Sequence, residues 1–176
     1  MMADWIAPRM TWGPVLAAAR RGDLPLIHIG ATPASVAKEF GGRQPVYLAT
    51  PYSREVIDDM GEWCHLRSRA MGVAAARAAE ALRQAGVSAF APIALSDAMV
   101  RAGGEFVATA RGGVCFAASA DPLDDAAWAR WCQPFLNVCG ALVIPDIAGW
   151  DRSDGIAAEL RYALQRDLPV FLYAEF

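Results

Sequence analysis

Pro45-Val46-Tyr47-Leu48-Ala49-Thr50, followed at once by Pro51-Tyr52-Ser53, is the stretch on which the fold turns. A compact apolar run opened by proline and closed by Thr-Pro reads as a buried strand. C-terminal to it, helical character runs from roughly Glu55 to Ala85. Its second half, MGVAAARAAEALRQAG, is rich in strong helix formers and stops at Gly86, as a helix ending on glycine does. VSAFAPI (87–93) then reads as a second strand, broken by Pro92, and SDAMVRA as a short helix capped by Ser96.

Residues 103–122 are rich in Gly, Ala and Ser and predict a flexible, lid-like loop. Asp124 to Val138 has helical spacing through Trp128, Trp131, Phe135 and Val138. ALVIPD (141–146) reads as a strand, Ser153 to Arg166 as a helix and PVFLYA (169–174) as a last strand. Strands separated by helices imply right-handed crossovers and a parallel sheet. Their near-continuous apolar character implies helices on both faces. The predicted class is therefore α/β, a flavodoxin- or Rossmann-like open parallel sheet of order 2-1-3-4. In space that order is 87–91, 45–49, 141–146, 169–173.

Residues 1–44 read differently, as an N-terminal extension packed on a domain spanning 45–176. The extension has an amphipathic stretch from Trp12 to Arg21, an apolar LPLIHIG with LIHI as a small strand, and a Gly/Pro-punctuated segment ending at Gly41-Gly42.

The composition bounds function. The chain of 176 residues is 55% hydrophobic and 20% charged, a globular balance with room for one well-buried core. No apolar run approaches the ~20 residues of a membrane helix, and MMADWIAPRM has no signal-like apolar core, so a cytoplasmic protein without membrane contact is expected. Net charge is -3, and the 16 basic residues are scattered, which disfavours a nucleic-acid polymer as partner. Cys64, Cys115, Cys132 and Cys139 form no CxxC pair and no metal-like spacing with His28 or His65. Reduced, mostly buried thiols are expected, with no metal and no cofactor.

In open parallel sheets, ligands bind beyond the carboxyl ends of the strands, where strand order reverses. Here that point falls between PVYLAT and ALVIPD. The loops after them carry Thr50, Pro51, Tyr52 and Ser53 on one side, and Trp150, Asp151, Ser153 and Gly155 on the other. Ser153 caps the following helix, whose free N–H groups and dipole favour an anion or a hydroxyl. Gly155 lets a ligand approach the backbone. Glu159 falls about 100° off the centre of the buried stripe formed by Ile156, Leu160, Ala163 and Leu164, a boundary position from which a carboxylate reaches a cleft. Each residue also has an ordinary reading: Glu159 as a solvated helix glutamate, Ser153 as a plain cap, Tyr47 as strand core, Trp150 as a cover for the core edge.

VYLATPYS, AAEALRQAGVSAFAPI and CGALVIPDIAGWDRSDGIAAE, in this order across residues 45 to 173, resemble a bacterial family of unknown function within the nucleoside 2-deoxyribosyltransferase-like superfamily. The resemblance implies cleavage or exchange of the N-glycosidic bond of nucleosides or nucleoside 5′-monophosphates. Under it, Glu159 matches the glutamate that attacks the anomeric carbon. Ser153 and Gly155 match positions holding the sugar 5′ end or its phosphate. Tyr47 and the ATPYS loop match the segment beneath sugar and base. An aspartate that handles the leaving base usually precedes the strand equivalent to ALVIPD, and here Gly140 takes that position. The first expectation is an N-glycosidase or deoxyribosyltransferase, and the alternative is a catalytically silent nucleotide-binding or sensing domain. The resemblance also implies a homo-oligomer, for which Trp128, Trp131 and Phe135 offer an apolar helix face.

Overall fold

The computed structural model describes residues 11–108 and 112–174. Residues 1–10 of the expected extension, 109–111 of the expected lid and the last two residues of the domain lie outside them.

Five short strands pair in parallel to form one sheet: β1 (Ile27–Ile29), β2 (Val46–Leu48), β3 (Ala89–Phe90), β6 (Ala141–Ile144) and β7 (Val170–Leu172). Their spatial order is β1-β7-β6-β2-β3. Four strands were expected. The fifth, β1, comes from the N-terminal region and runs beside β7 in the register Ile27↔Val170, so residues before 45 contribute a strand to the main sheet.

Side chains alternate across each strand, and the alternation sorts the core. Tyr47, Leu142, Ile144 and Leu172 face α1 (Trp12–Arg20), α5 (Asp125–Val138) and α6 (Asp154–Gln165), meeting Val15, Leu136, Ile156 and Leu160. Val46, Leu48, Val143 and Phe171 face the other way, against Val36 of α2 (Pro33–Phe40) and Leu82 of α3 (His65–Gln84). Each such fully buried aliphatic side chain contributes roughly 1.5–3 kcal/mol.

Three elements differ from the expectation, each for a local reason. The long helix starts at His65 rather than near Glu55. Before it the chain turns on Asp58, whose carboxylate accepts the N–H groups of Met60 and Glu62, and then returns through Gly61 (φ 83°) to bridge Ile57 with Trp63. The strand after Gly86 is only Ala89–Phe90, because Pro92 opens α4 (Pro92–Ala102) at a position where its missing N–H costs nothing. Ser96 therefore lies inside that helix, and its hydroxyl donates to the Ile93 carbonyl instead of capping. The expected lid is an antiparallel ribbon of β4 (Glu105–Ala108) and β5 (Val114–Ala117).

Gly149 shows why the second loop needs glycine. It adopts φ 92°, and a Cβ there would come within 2.2 Å of a Glu55 carboxylate oxygen. That carboxylate pairs with Arg152, joining the loop after β2 to the loop before α6.

Candidate active site

A cavity of about 410 Å³ opens beyond the carboxyl ends of β2 and β6, between α4, α5 and α6. Its floor is the side chain of Tyr47 together with Glu159. Tyr47 reaches the site because it occupies the middle of β2 on the α5/α6 face. Glu159 reaches it because Ile156 and Leu160 on the same helix are buried in the core and fix the rotation of α6. The Tyr47 hydroxyl donates to Glu159 Oε1 at 2.6 Å. Burial pushes the Glu159 carboxyl up to about 7, against the hydrogen bond from Tyr47, which lowers it. Burial, and after it the charge of Glu159, raises the Tyr47 hydroxyl. Cys132 of α5 lies against that hydroxyl, and its thiol is pushed up to about 11, mainly by burial.

The walls are largely apolar. Helix α5 presents Trp128, Trp131, Cys132 and Leu136, and α4 presents Pro92, Ile93 and Val100. The loop after β2 supplies Thr50, Tyr52 and Ser53. Thr50 is only 6% exposed, and its hydroxyl has no hydrogen-bond partner among the described residues. Two clasps hold this loop across the mouth: the Ser53 hydroxyl donates to Asp125 at 2.7 Å, and Arg54 pairs with Asp154 at 2.5 Å.

Behind Tyr52 runs a polar chain between α3 and α4. The Ser68 hydroxyl donates its single proton to Asp97 at 3.1 Å, so the Tyr52 hydroxyl, 2.9 Å from it, is the donor to Ser68. Trp63 Nε1 in turn donates to the Tyr52 oxygen at 3.1 Å. Arg101 closes the chain with two hydrogen bonds to Asp97 at 2.9 and 2.8 Å, and reaches the His65 carbonyl. Helices α3 and α4 meet here at Gly72, where a Cβ would fall 2.8 Å from the Cβ of Asp97.

Of the ten residues expected from the sequence, Tyr47, Thr50, Tyr52, Ser53, Ser153, Gly155 and Glu159 line this one cavity, while Pro51, Trp150 and Asp151 do not. Pro51 is buried beneath its loop. Trp150 is turned inward, its ring edge-on to Trp12 with centroids 4.5 Å apart, because an indole there closes the core under α1. Asp151 is exposed on the 3₁₀ turn Trp150–Arg152. Gly140 is at the amino end of β6, where its would-be Cβ meets Gln44 and Phe40, neither of which lines the cavity. An aspartate at 140 would thus meet Gln44 and Phe40 at the amino end of the strand, outside the cavity lining.

The cavity also takes residues that the sequence did not single out for it: Asp125, Asp154, Tyr162 and the α4 wall. The signal for α5 was present in the spacing 125, 128/129, 132, 136, one helical stripe headed by an acid. Trp128 and Trp131 line the cavity, and Phe135 stacks on Phe90 at 3.9 Å. Of the four cysteines only Cys139 is buried, and Cys115 on the ribbon is exposed. Among the described residues no group of His, Cys, Asp and Glu stands together to hold a metal ion, and no helix is long and apolar enough to cross a membrane.

Fold and cavity define an α/β protein with an open parallel sheet and an acidic, aromatic-walled pocket at its strand carboxyl ends. More particularly, the chain belongs to the family described as "Domain of unknown function (DUF1937)", whose profile matches residues 44–175. No curated protein matches it.

Proposed function

We propose that the protein cleaves or exchanges the N-glycosidic bond of a nucleoside or nucleoside 5′-monophosphate, with Glu159 as nucleophile. The observation that carries this reading is the Tyr47–Glu159 pair: a carboxylate without a cationic partner among the described residues, hydrogen-bonded at 2.6 Å, in an aromatic-walled cavity. Such a carboxylate faces an oxocarbenium-like centre well. A Glu159 oxygen bonds to the anomeric carbon as the C–N bond breaks, and the leaving base keeps the electron pair and takes a proton from water. Water, or a second base, then attacks the glycosyl ester, releasing the sugar and restoring the carboxylate. Trp128 and Trp131, edge-on to each other at 5.8 Å, give the base an aromatic wall.

The test is release of free base from a panel of nucleosides and nucleotides, followed by chromatography. Glu159→Ala is expected to lower release at least 10³-fold while ligand affinity stays within about tenfold, because a nucleophile acts on the transition state. Undiminished release in Glu159→Ala would show that the carboxylate is not the nucleophile. One observation favours a second reading, a binding domain without turnover: the other two cavity carboxylates are each engaged, Asp125 by Ser53 and Asp154 by Arg54, so neither is free to protonate a leaving base. Binding without base release in the wild type would decide for it.

A further inference from the structure

We propose that the cavity selects an uncharged nucleoside over its 5′-monophosphate, and that Asp154 is the residue that sets this preference. The inference rests on the reading of the cavity as a nucleoside site. It departs from the expectation that the start of α6 holds a phosphate. The first N–H groups of a helix have no carbonyl four residues back, and the dipole there favours an anion. Ser153 already accepts the Ile156 N–H at 3.3 Å, and the next two residues of the turn, Asp154 and Gly155, line the cavity. Asp154 is itself the first residue of α6, so the helix carries its own anion at the place a phosphate would take.

The surroundings reinforce that charge. Three carboxylates line the cavity, Asp125, Asp154 and Glu159, and no Lys, Arg or His among the described residues does. Arg54, on the loop at the rim, is bound to Asp154 at 2.5 Å and is therefore engaged rather than open to a phosphate. A phosphate dianion entering this pocket would meet three acids and no free cation, Arg54 being held by Asp154, whereas a sugar hydroxyl meets acceptors and the Gly155 backbone. The would-be Cβ of Gly155 touches only the Ser153 hydroxyl, at 3.7 Å, so this stretch of backbone is open to a small neutral group.

The experiment measures dissociation constants of the intact protein by calorimetry for adenosine, deoxyadenosine, deoxycytidine and their 5′-monophosphates. The wild type is expected to bind the nucleosides at least tenfold more tightly. Asp154→Asn, an exposed position that tolerates the change, is expected to shrink that ratio at least fivefold. Arg54→Ala, which leaves Asp154 unneutralised, is expected to widen it. The ratio should also fall as salt rises from 50 to 500 mM. Monophosphates that bind the wild type as well as nucleosides do, or a ratio untouched by Asp154→Asn, would overturn the proposal, as would binding of neither class. Nucleosides bound selectively but never cleaved would leave it standing and remove the glycosidase reading.

Discussion

Two tyrosine–carboxylate systems border the same cavity, and the fold treats them in opposite ways. The Tyr52 hydroxyl donates a hydrogen bond to Ser68 and Ser68 one to Asp97, and Asp97 is neutralised by two hydrogen bonds from Arg101. Every polar atom named in that chain has a partner. Tyr47 donates to Glu159, and there the chain stops: no cation among the described residues faces Glu159, and burial raises its carboxyl to about 7. A charge that is paired and hydrogen-bonded holds elements together; a buried charge left without a counter-ion is costly and marks a working group. The first system fixes α3 against α4, and the second supplies the nucleophile under the proposed function. Breaking each should therefore produce a different signature.

The largest expected effect on stability is at the compensated site. Asp97→Ala strips Arg101 of its partner, and both side chains are mostly buried, at 12% and 25% exposed. Removal of one member of such a pair is expected to cost about 2–4 kcal/mol, read as a lower denaturation midpoint. A loss under ~1 kcal/mol would mean that Arg101 finds water and that the chain is not a clamp.

At Glu159 the sign reverses. Its carboxyl is raised from 4.5 to about 7, so the folded chain holds this proton more tightly than the unfolded chain. The stabilisation from that proton is complete below pH ~4 and is lost as pH rises through about 7. Glu159→Gln keeps the shape and the hydrogen bond from Tyr47 without the charge. It is expected to match the wild type near pH 4 and to exceed it by about 3 kcal/mol at pH 8. Equal stability at both pH values would show that the carboxylate is well solvated.

Sequence legibility divides along the same line. Strands 2, 6 and 7 were readable because continuous apolar runs bounded by Pro and Gly leave little alternative, and Glu159 because its angle on α6 follows from four neighbours. The clamp was not readable: Ser68, Asp97 and Arg101 are brought to Tyr52 by the packing of α3 on α4 at Gly72, a tertiary event without a local signature. The helix start at His65 was hidden by the turn at Asp58, since Glu55 to Cys64 contains ordinary helix formers. Trp150 misled because a loop tryptophan beside a helix start reads equally as a ligand platform and as a core plug, and only Trp12, about 140 positions earlier in the chain, decides between them.

The two systems can also be compared through activity. Tyr47→Phe removes the hydrogen bond that lowers the Glu159 carboxyl, so its protonation range moves upward. Because the nucleophile must be ionised, base release by the wild type should rise with pH through about 7 and level off above it. In Tyr47→Phe the rise is displaced to higher pH, with roughly a tenfold deficit at pH 7 that narrows by pH 9. A deficit constant across pH would assign Tyr47 to packing alone. Tyr52→Phe, whose hydroxyl meets no titrating nucleophile, should leave the pH profile in place.

The smallest effect belongs to Thr50, which borders both systems. Its hydroxyl is buried without a partner among the described residues, a state that costs roughly 1–3 kcal/mol for a group that could have bonded water. Valine has the same shape and no such need, so Thr50→Val should leave the free protein unchanged or raise its stability by up to ~1 kcal/mol. The gain should invert when ligand is present. A bound nucleoside offers hydroxyls and ring nitrogens to this wall, and under the proposed function one of them partners the threonine hydroxyl. The variant should then bind a nucleoside several-fold more weakly and show a smaller ligand-induced rise in melting temperature than the wild type. Both readings come from one thermal-shift titration. Destabilisation of the free variant by more than ~1 kcal/mol would mean that the hydroxyl already has a partner; an unchanged affinity would place the ligand away from this wall, toward Trp128 and Tyr162.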